Sequence, residues 1–119
     1  MKKLIHCPAE RAVYFLGGKW KIRILFSLLN NKKIRFGELK KGLKTITQQM
    51  LSKQLKELEA DEIVNRKVIQ IMPPKVEYSL TEFGLSVMPI LKSFSKWSKR
   101  NTKTISVKLN KNFEENRIR

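Results

Sequence analysis

Between Thr45 and Asp61 the residue types and their spacing suit the reading of a patterned polyanion. Leu51, Leu55 and Leu58 recur at the i, i+4, i+7 spacing of one helix face, with Met50 beside them. At about 100° per residue, Gln49, Ser52, Lys53 and Lys56 project the other way. Glutamine amides both donate and accept hydrogen bonds, the property needed to match base edges, and the lysine ammoniums suit phosphate. This outer face carries no carboxylate before Glu57. The stretch therefore reads as a recognition helix for DNA.

Other chemistry is poorly provided for. Cys7 is the only cysteine and His6 the only histidine, so one chain holds neither a disulfide framework nor a four-ligand zinc site, and no metal or cofactor is expected. No second histidine stands ready to act with Cys7, and no pair of carboxylates marks a pocket, so an enzyme is not expected. Gly18-Lys19 invites comparison with a phosphate-binding loop, but Val13 stands at its leading glycine position and Trp20 at its hydroxyl position. Gly17-Gly18 reads as a helix stop instead.

The charge supports a nucleic-acid partner. The 119 residues carry 26 Lys and Arg against 10 Asp and Glu, a net +16. Residues 32–56 hold eight of these cations and one acid, Glu38, so the excess gathers around the polar helix face. A non-specific architectural DNA- or RNA-binding protein would also fit the charge alone. An anionic membrane surface ranks behind nucleic acid; no apolar run approaches the roughly 20 residues of a membrane span, and a cytoplasmic location is expected.

The elements that must position the helix follow in order. Pro8 suits the first turn of a helix whose apolar side holds Ala12, Val13 and Leu16. A second helix begins near Lys19-Trp20, turns Ile24, Leu25, Leu28 and Leu29 inward, and ends at Asn30 to Lys33. Ile34-Arg35 is a short extended piece. Phe36, Leu39 and Leu43 give a third helix, and Thr45 or Thr47 can cap the fourth, so a turn of about three to four residues joins the two, as in a helix-turn-helix. After Asp61-Glu62 the β-branched run to Met72, the break at Pro73-Pro74 and the alternation of Val76 to Leu80 predict a two-stranded hairpin. Its stiff tip, Met72 to Lys75, reads as a wing bearing a cation. Thr81-Glu82 opens a last long helix whose stripe of Val87, Ile90, Leu91, Phe94 and Trp97 predicts a homodimer contact, shared with Tyr14 and Phe15; closing the monomer core is the alternative use of that stripe. The expected fold is mainly α with a small β-hairpin, a winged helix over residues 1–100, followed by a basic, flexible tail over 101–119.

The segments Cys7-Pro8-Ala9-Glu10-Arg11, Gly17-Gly18-Lys19-Trp20, Arg35-Phe36-Gly37-Glu38-Leu39, Ile46-Thr47-Gln48-Gln49-Met50-Leu51, Leu55-Lys56-Glu57-Leu58-Glu59, Pro73-Pro74-Lys75-Val76-Glu77-Tyr78-Ser79-Leu80-Thr81 and Phe83-Gly84 together resemble the HxlR family of bacterial transcriptional regulators. That family is similar to the MarR group in being a dimeric winged helix. The resemblance, over about residues 5–100, implies that Thr47, Gln48, Gln49, Ser52, Lys53 and Lys56 face the major groove of double-stranded DNA. It places Arg35 and Lys75 near the backbone and implies dimerisation through the first and last helices. In several branches a cysteine just before the first helix senses electrophiles or oxidants. Cys7 stands there, at a helix start near Lys2, Lys3 and Arg11, surroundings that favour a thiolate; a small buried residue is its plainer role. The expected function is repression by a homodimer on an inverted-repeat operator, with any small-molecule effector unspecified.

Overall fold

The computed structural model describes residues 7–118, with side chains as far as residue 110. Lys2, Lys3 and His6 lie outside the described residues. The elements are α1 (Pro8–Leu16), α2 (Lys21–Asn31), β1 (Ile34–Arg35), α3 (Phe36–Leu43), α4 (Gln48–Ala60), β2 (Val64–Gln70), β3 (Lys75–Leu80), α5 (Glu82–Arg100) and α6 (Thr102–Ile118). Residues up to Met88 and residues from Pro89 onward form two compact units. The division falls inside α5, which carries Pro89.

In the first unit, local chemistry sets where each helix starts and stops. Pro8 stands at the first turn of α1, where no N–H is needed. Gly17 ends that helix: its N–H reaches the Val13 carbonyl at 2.6 Å, and a Cβ there would press on the same oxygen. Gly18 follows at φ 107°, a region glycine enters without cost. α2 and α3 end on Lys32 and Lys44, at φ 55° and 66°. Each lysine is the centre of a γ-turn, with Lys33 N–H donating to Asn31 O and Thr45 N–H to Leu43 O. Thr47 caps α4 by accepting from Met50 N–H at 3.0 Å.

The core of this unit is drawn largely from the positions read from the periodicity, although Val13, expected on the apolar side of α1, is 62% exposed and Leu29 and Phe36 are only half-buried. Ile24, Leu25 and Leu28 of α2, Leu39 and Leu43 of α3, and Leu51, Leu55 and Leu58 of α4 are all buried, joined by Ile46, Ile63, Val64 and Tyr78. Each such side chain contributes about 1.5–3 kcal/mol by leaving water. The buried side chain of Ile46 anchors the otherwise polar turn between α3 and α4.

The sheet is larger than the expected hairpin. β3 lies between β1 and β2, both antiparallel to it. Ile34 pairs with Tyr78 and Arg35 with Glu77, so the short extended piece is a third strand. Lys75 begins β3 opposite Gln70, and the turn at the tip is Ile71 to Pro74; the expected tip cation is therefore a strand residue. Helix-turn-helix followed by this sheet is a winged helix.

In the second unit the stretch expected as a basic, flexible tail over 101–119 has a helical backbone, α6, from Thr102 to Ile118. The polar sequence lacks amphipathic period, but Lys, Leu and Glu are good helix formers, and propensity needs no apolar stripe. Asn101 interrupts the chain between α5 and α6, with its side-chain amide donating to Trp97 O at 2.9 Å.

Candidate nucleic-acid interface

α4 presents the residues singled out by their chemistry on one open hollow, lined by Thr47, Gln48, Gln49, Ser52, Lys53, Lys56 and Glu57. Gln48, Gln49, Lys53 and Lys56 are exposed and Ser52 half-buried. The three buried leucines fix the rotation of the helix, and the Thr47 cap fixes its start, so the amides of Gln48 and Gln49 leave the first turn of a defined axis. Their neighbouring N–H groups form the positive end of the helix dipole, which favours phosphate.

Glu57, the one carboxylate of this surface, is neutralised from below. Lys21 Nζ meets Glu57 Oε1 at 2.8 Å, and the Lys21 side chain is almost wholly covered. The hydrogen bond from that ammonium holds the Glu57 carboxyl below the usual carboxylate range against the smaller opposing effect of burial, and the charges of Lys21 and Lys53 add to the lowering. Residue-level reasoning did not single out Lys21. Its signal was present, because Lys21, Ile24, Leu25 and Leu28 share one helix face and a lysine at a core position needs a partner.

A second cation group braces the helix-turn-helix. Lys19 Nζ and the Arg23 guanidinium lie 4.9 and 4.8 Å from the centre of the Trp20 ring. Arg23 also donates to Leu43 O at 3.3 Å, tying α2 to the last turn of α3.

Arg35 and Lys75 do not join the hollow on α4. Arg35 is exposed at the start of α3, where its backbone N–H donates to Glu38 Oε1 at 3.2 Å. Lys75 is half-buried at the beginning of β3. Arg66, which sequence reasoning passed over, lines a hollow with Ser52, Lys56 and Tyr78 and so joins the wing to α4.

Cys7 is exposed and free, immediately before α1, with its carbonyl accepting from Arg11 N–H at 3.1 Å. Of the residues expected at a dimer contact, Tyr14 on α1 is exposed and Phe15, half-buried, packs edge-on against its ring at 5.5 Å. On α5, Ile90, Phe94 and Trp97 are each more than half exposed at i, i+4, i+7, and Val87 is half-buried. Leu91, also expected there, has only 1% of its surface exposed. No helix among the described residues is long and apolar enough to cross a membrane.

Comparison with known proteins places these features. The HxlR-like helix-turn-helix family profile matches residues 15–106. The HTH-type transcriptional regulator YybR of Bacillus subtilis is 47% identical over 95 residues, covering 80% of this chain and 75% of that protein. The structure of the redox regulator HypR in its reduced form is similar at a TM-score of 0.80 and 42% identity, over 85% of this chain and 99% of that one. The reduced form of the transcriptional regulator YodB from B. subtilis matches at a TM-score of 0.70 and 36% identity, over 81% and 94% of the two chains.

Proposed function

The chain belongs to the HxlR-like helix-turn-helix family and is a DNA-binding transcriptional regulator, not an enzyme, and we propose that it works as a cytoplasmic homodimeric repressor on an inverted-repeat operator. The observation that carries this reading is the outer face of α4, where amides and ammoniums stand exposed on a helix locked by three buried leucines. Lysine and arginine supply affinity by displacing counterions, and Gln48, Gln49 and Ser52 supply selectivity by matching base edges. Arg35 and Lys75 add contacts to the backbone on either side. Dimerisation through the first and last helices, as the family resemblance implies, sets two α4 helices for successive major grooves about 34 Å apart. Such a dimer across a promoter blocks polymerase without further machinery.

Cys7 adds control. An exposed free thiol stands at the start of α1, and the similar HypR and YodB structures are named as a redox regulator and as reduced and diamide-treated forms. Oxidants or electrophiles acting on Cys7 change operator affinity. Selection from random duplexes tests the main reading: an inverted repeat is expected, and recovery of no preferred sequence leaves only non-specific binding. Diamide or a quinone should then alter affinity in the wild type and not in Cys7→Ser, and an unchanged wild type removes the sensor.

A further inference from the structure

The apolar tip of the wing is the surface least explained by base reading from α4. Ile71 and Met72 are 82% and 84% exposed, and Val68 and Ile69 just beneath them are half exposed. Hairpin ends are ordinarily blunted with charge, because exposed apolar strand edges invite aggregation. Here the cations sit lower on the wing, at Arg66, Lys67 and Lys75, and the extreme end is aliphatic.

The tip is also braced. Gln70 Nε2 donates to Met72 O at 3.1 Å across the turn, and the two prolines that follow restrict the backbone. The register slips between Val68 and Gln70, leaving Ile69 outside the pairing and increasing the local twist. A bulge, a side-chain clamp and two prolines together hold Ile71 and Met72 outward.

Isoleucine, methionine and proline are residue types that enter a base step from the minor groove, partly unstack it and kink the duplex by about 20–90°. We propose that Ile71, Met72, Pro73 and Pro74 form an apolar wedge that enters the minor groove beside the site read by α4. The proposal rests on the regulator reading above. Two features favour DNA over a protein partner. The wing beneath the tip is cationic, with Glu77 its only acid, opposite Lys67 in the sheet. It is also continuous with the reading surface, through the hollow that Arg66 shares with Ser52, Lys56 and one carboxylate, Glu59. A wedge draws specificity from deformability: pyrimidine–purine steps such as TA open easily, so the protein prefers them at positions where it makes no hydrogen bond.

The test is selection from random duplexes with the wild type and with Ile71→Ser/Met72→Ser, followed by binding to the recovered duplex carrying 2-aminopurine at the flanking step. Both positions are exposed, so the double variant should keep its circular dichroism and melting temperature. The wild type should enrich a TA or CA step outside the α4 motif and brighten the 2-aminopurine. The variant should keep the central motif, lose the flanking preference, leave the probe dark and bind the step-containing duplex about tenfold more weakly, the scale of one base-pair discrimination. A central motif with no flanking preference and no brightening in the wild type overturns the wedge alone and leaves the tip to a protein surface. Recovery of no motif overturns the regulator reading and the wedge with it.

Discussion

Exchanging Lys21 for Met and Glu57 for Gln, singly and together, separates what the pair does for the fold from what it does for DNA. The two charged atoms are 2.8 Å apart, with the lysine side chain covered and the carboxylate 42% exposed. Solvent reaching Glu57 screens the attraction, so the coupling in a double-mutant cycle should be about 1 kcal/mol at low salt. Glu57→Gln leaves a covered ammonium without its counter-charge and should cost about 1–2 kcal/mol. Lys21→Met puts an apolar chain beside Ile24 and Leu25 and should change stability by less than about 0.5 kcal/mol. Urea denaturation at neutral pH measures all three. Because the folded-state carboxyl of Glu57 is held below its ordinary value, its contribution is complete above about pH 4.3 and is lost as pH falls through that value and then through the folded one. The gap between wild type and Glu57→Gln should therefore close in acid. On DNA the two single changes act with opposite sign. A bare carboxylate in Lys21→Met should weaken binding to any duplex and lower the log–log salt slope by up to about 0.9, and Glu57→Gln should raise it by a similar amount. Equal weakening by both at every salt concentration would refute the neutralisation argument and make the pair a brace for α4.

Gln49→Ala should cost about 1–3 kcal/mol on the selected operator and almost nothing on random duplex, measured by competition binding. Lys75→Ala should weaken all sequences alike and reduce the salt slope by about 1; unchanged binding at low salt would remove the wing from the backbone contact. Glu62→Gly should raise stability by about 0.5–1 kcal/mol in urea, because Glu62 holds φ 60°, a conformation that glycine adopts freely. Gly84→Ala should destabilise by about 2–4 kcal/mol, since a Cβ there would run into the Ile63 carbonyl.

The outer face of α4 was legible because its placement depends on one local period. Leu51, Leu55 and Leu58 announce which side of α4 is buried, and every other residue of the helix is then placed by rotation. Pro8 and Gly17 likewise state their roles through backbone chemistry that needs no tertiary context, whereas the cap of α4, open between Thr45 and Thr47 in the sequence, is Thr47. What escaped were relations between distant positions. β1 is two residues long, and only its pairing with Tyr78 and Glu77 makes it a strand. Lys21 and Glu57 belong to different helices, so their pairing has no signature in either. α6 was missed for the opposite reason: periodicity was taken as the mark of a helix, and this one has little.

The corner after α4 shows how such relations fix the end of a helix. Ile63 N–H returns to Leu58 O and Glu62 N–H to Glu59 O, the paired bonds of a Schellman turn, with Glu62 in the position glycine usually takes. The carbonyls this corner exposes are claimed at once by the next element: the Thr81 hydroxyl lies 2.6 Å from Glu62 O, and Thr81 N–H donates to Ile63 O at 3.1 Å. The same hydroxyl accepts from Gly84 N–H at 2.9 Å and so caps α5. One threonine therefore holds the end of α4 and the start of α5. Gly84 supplies the missing side chain that lets the two backbones close. A shift in the first turn of α5 must break these bonds or carry the end of α4 with it, and a tilt of α4 of that origin displaces Gln48 and Gln49 at its far end, about 15–18 Å away at 1.5 Å per residue.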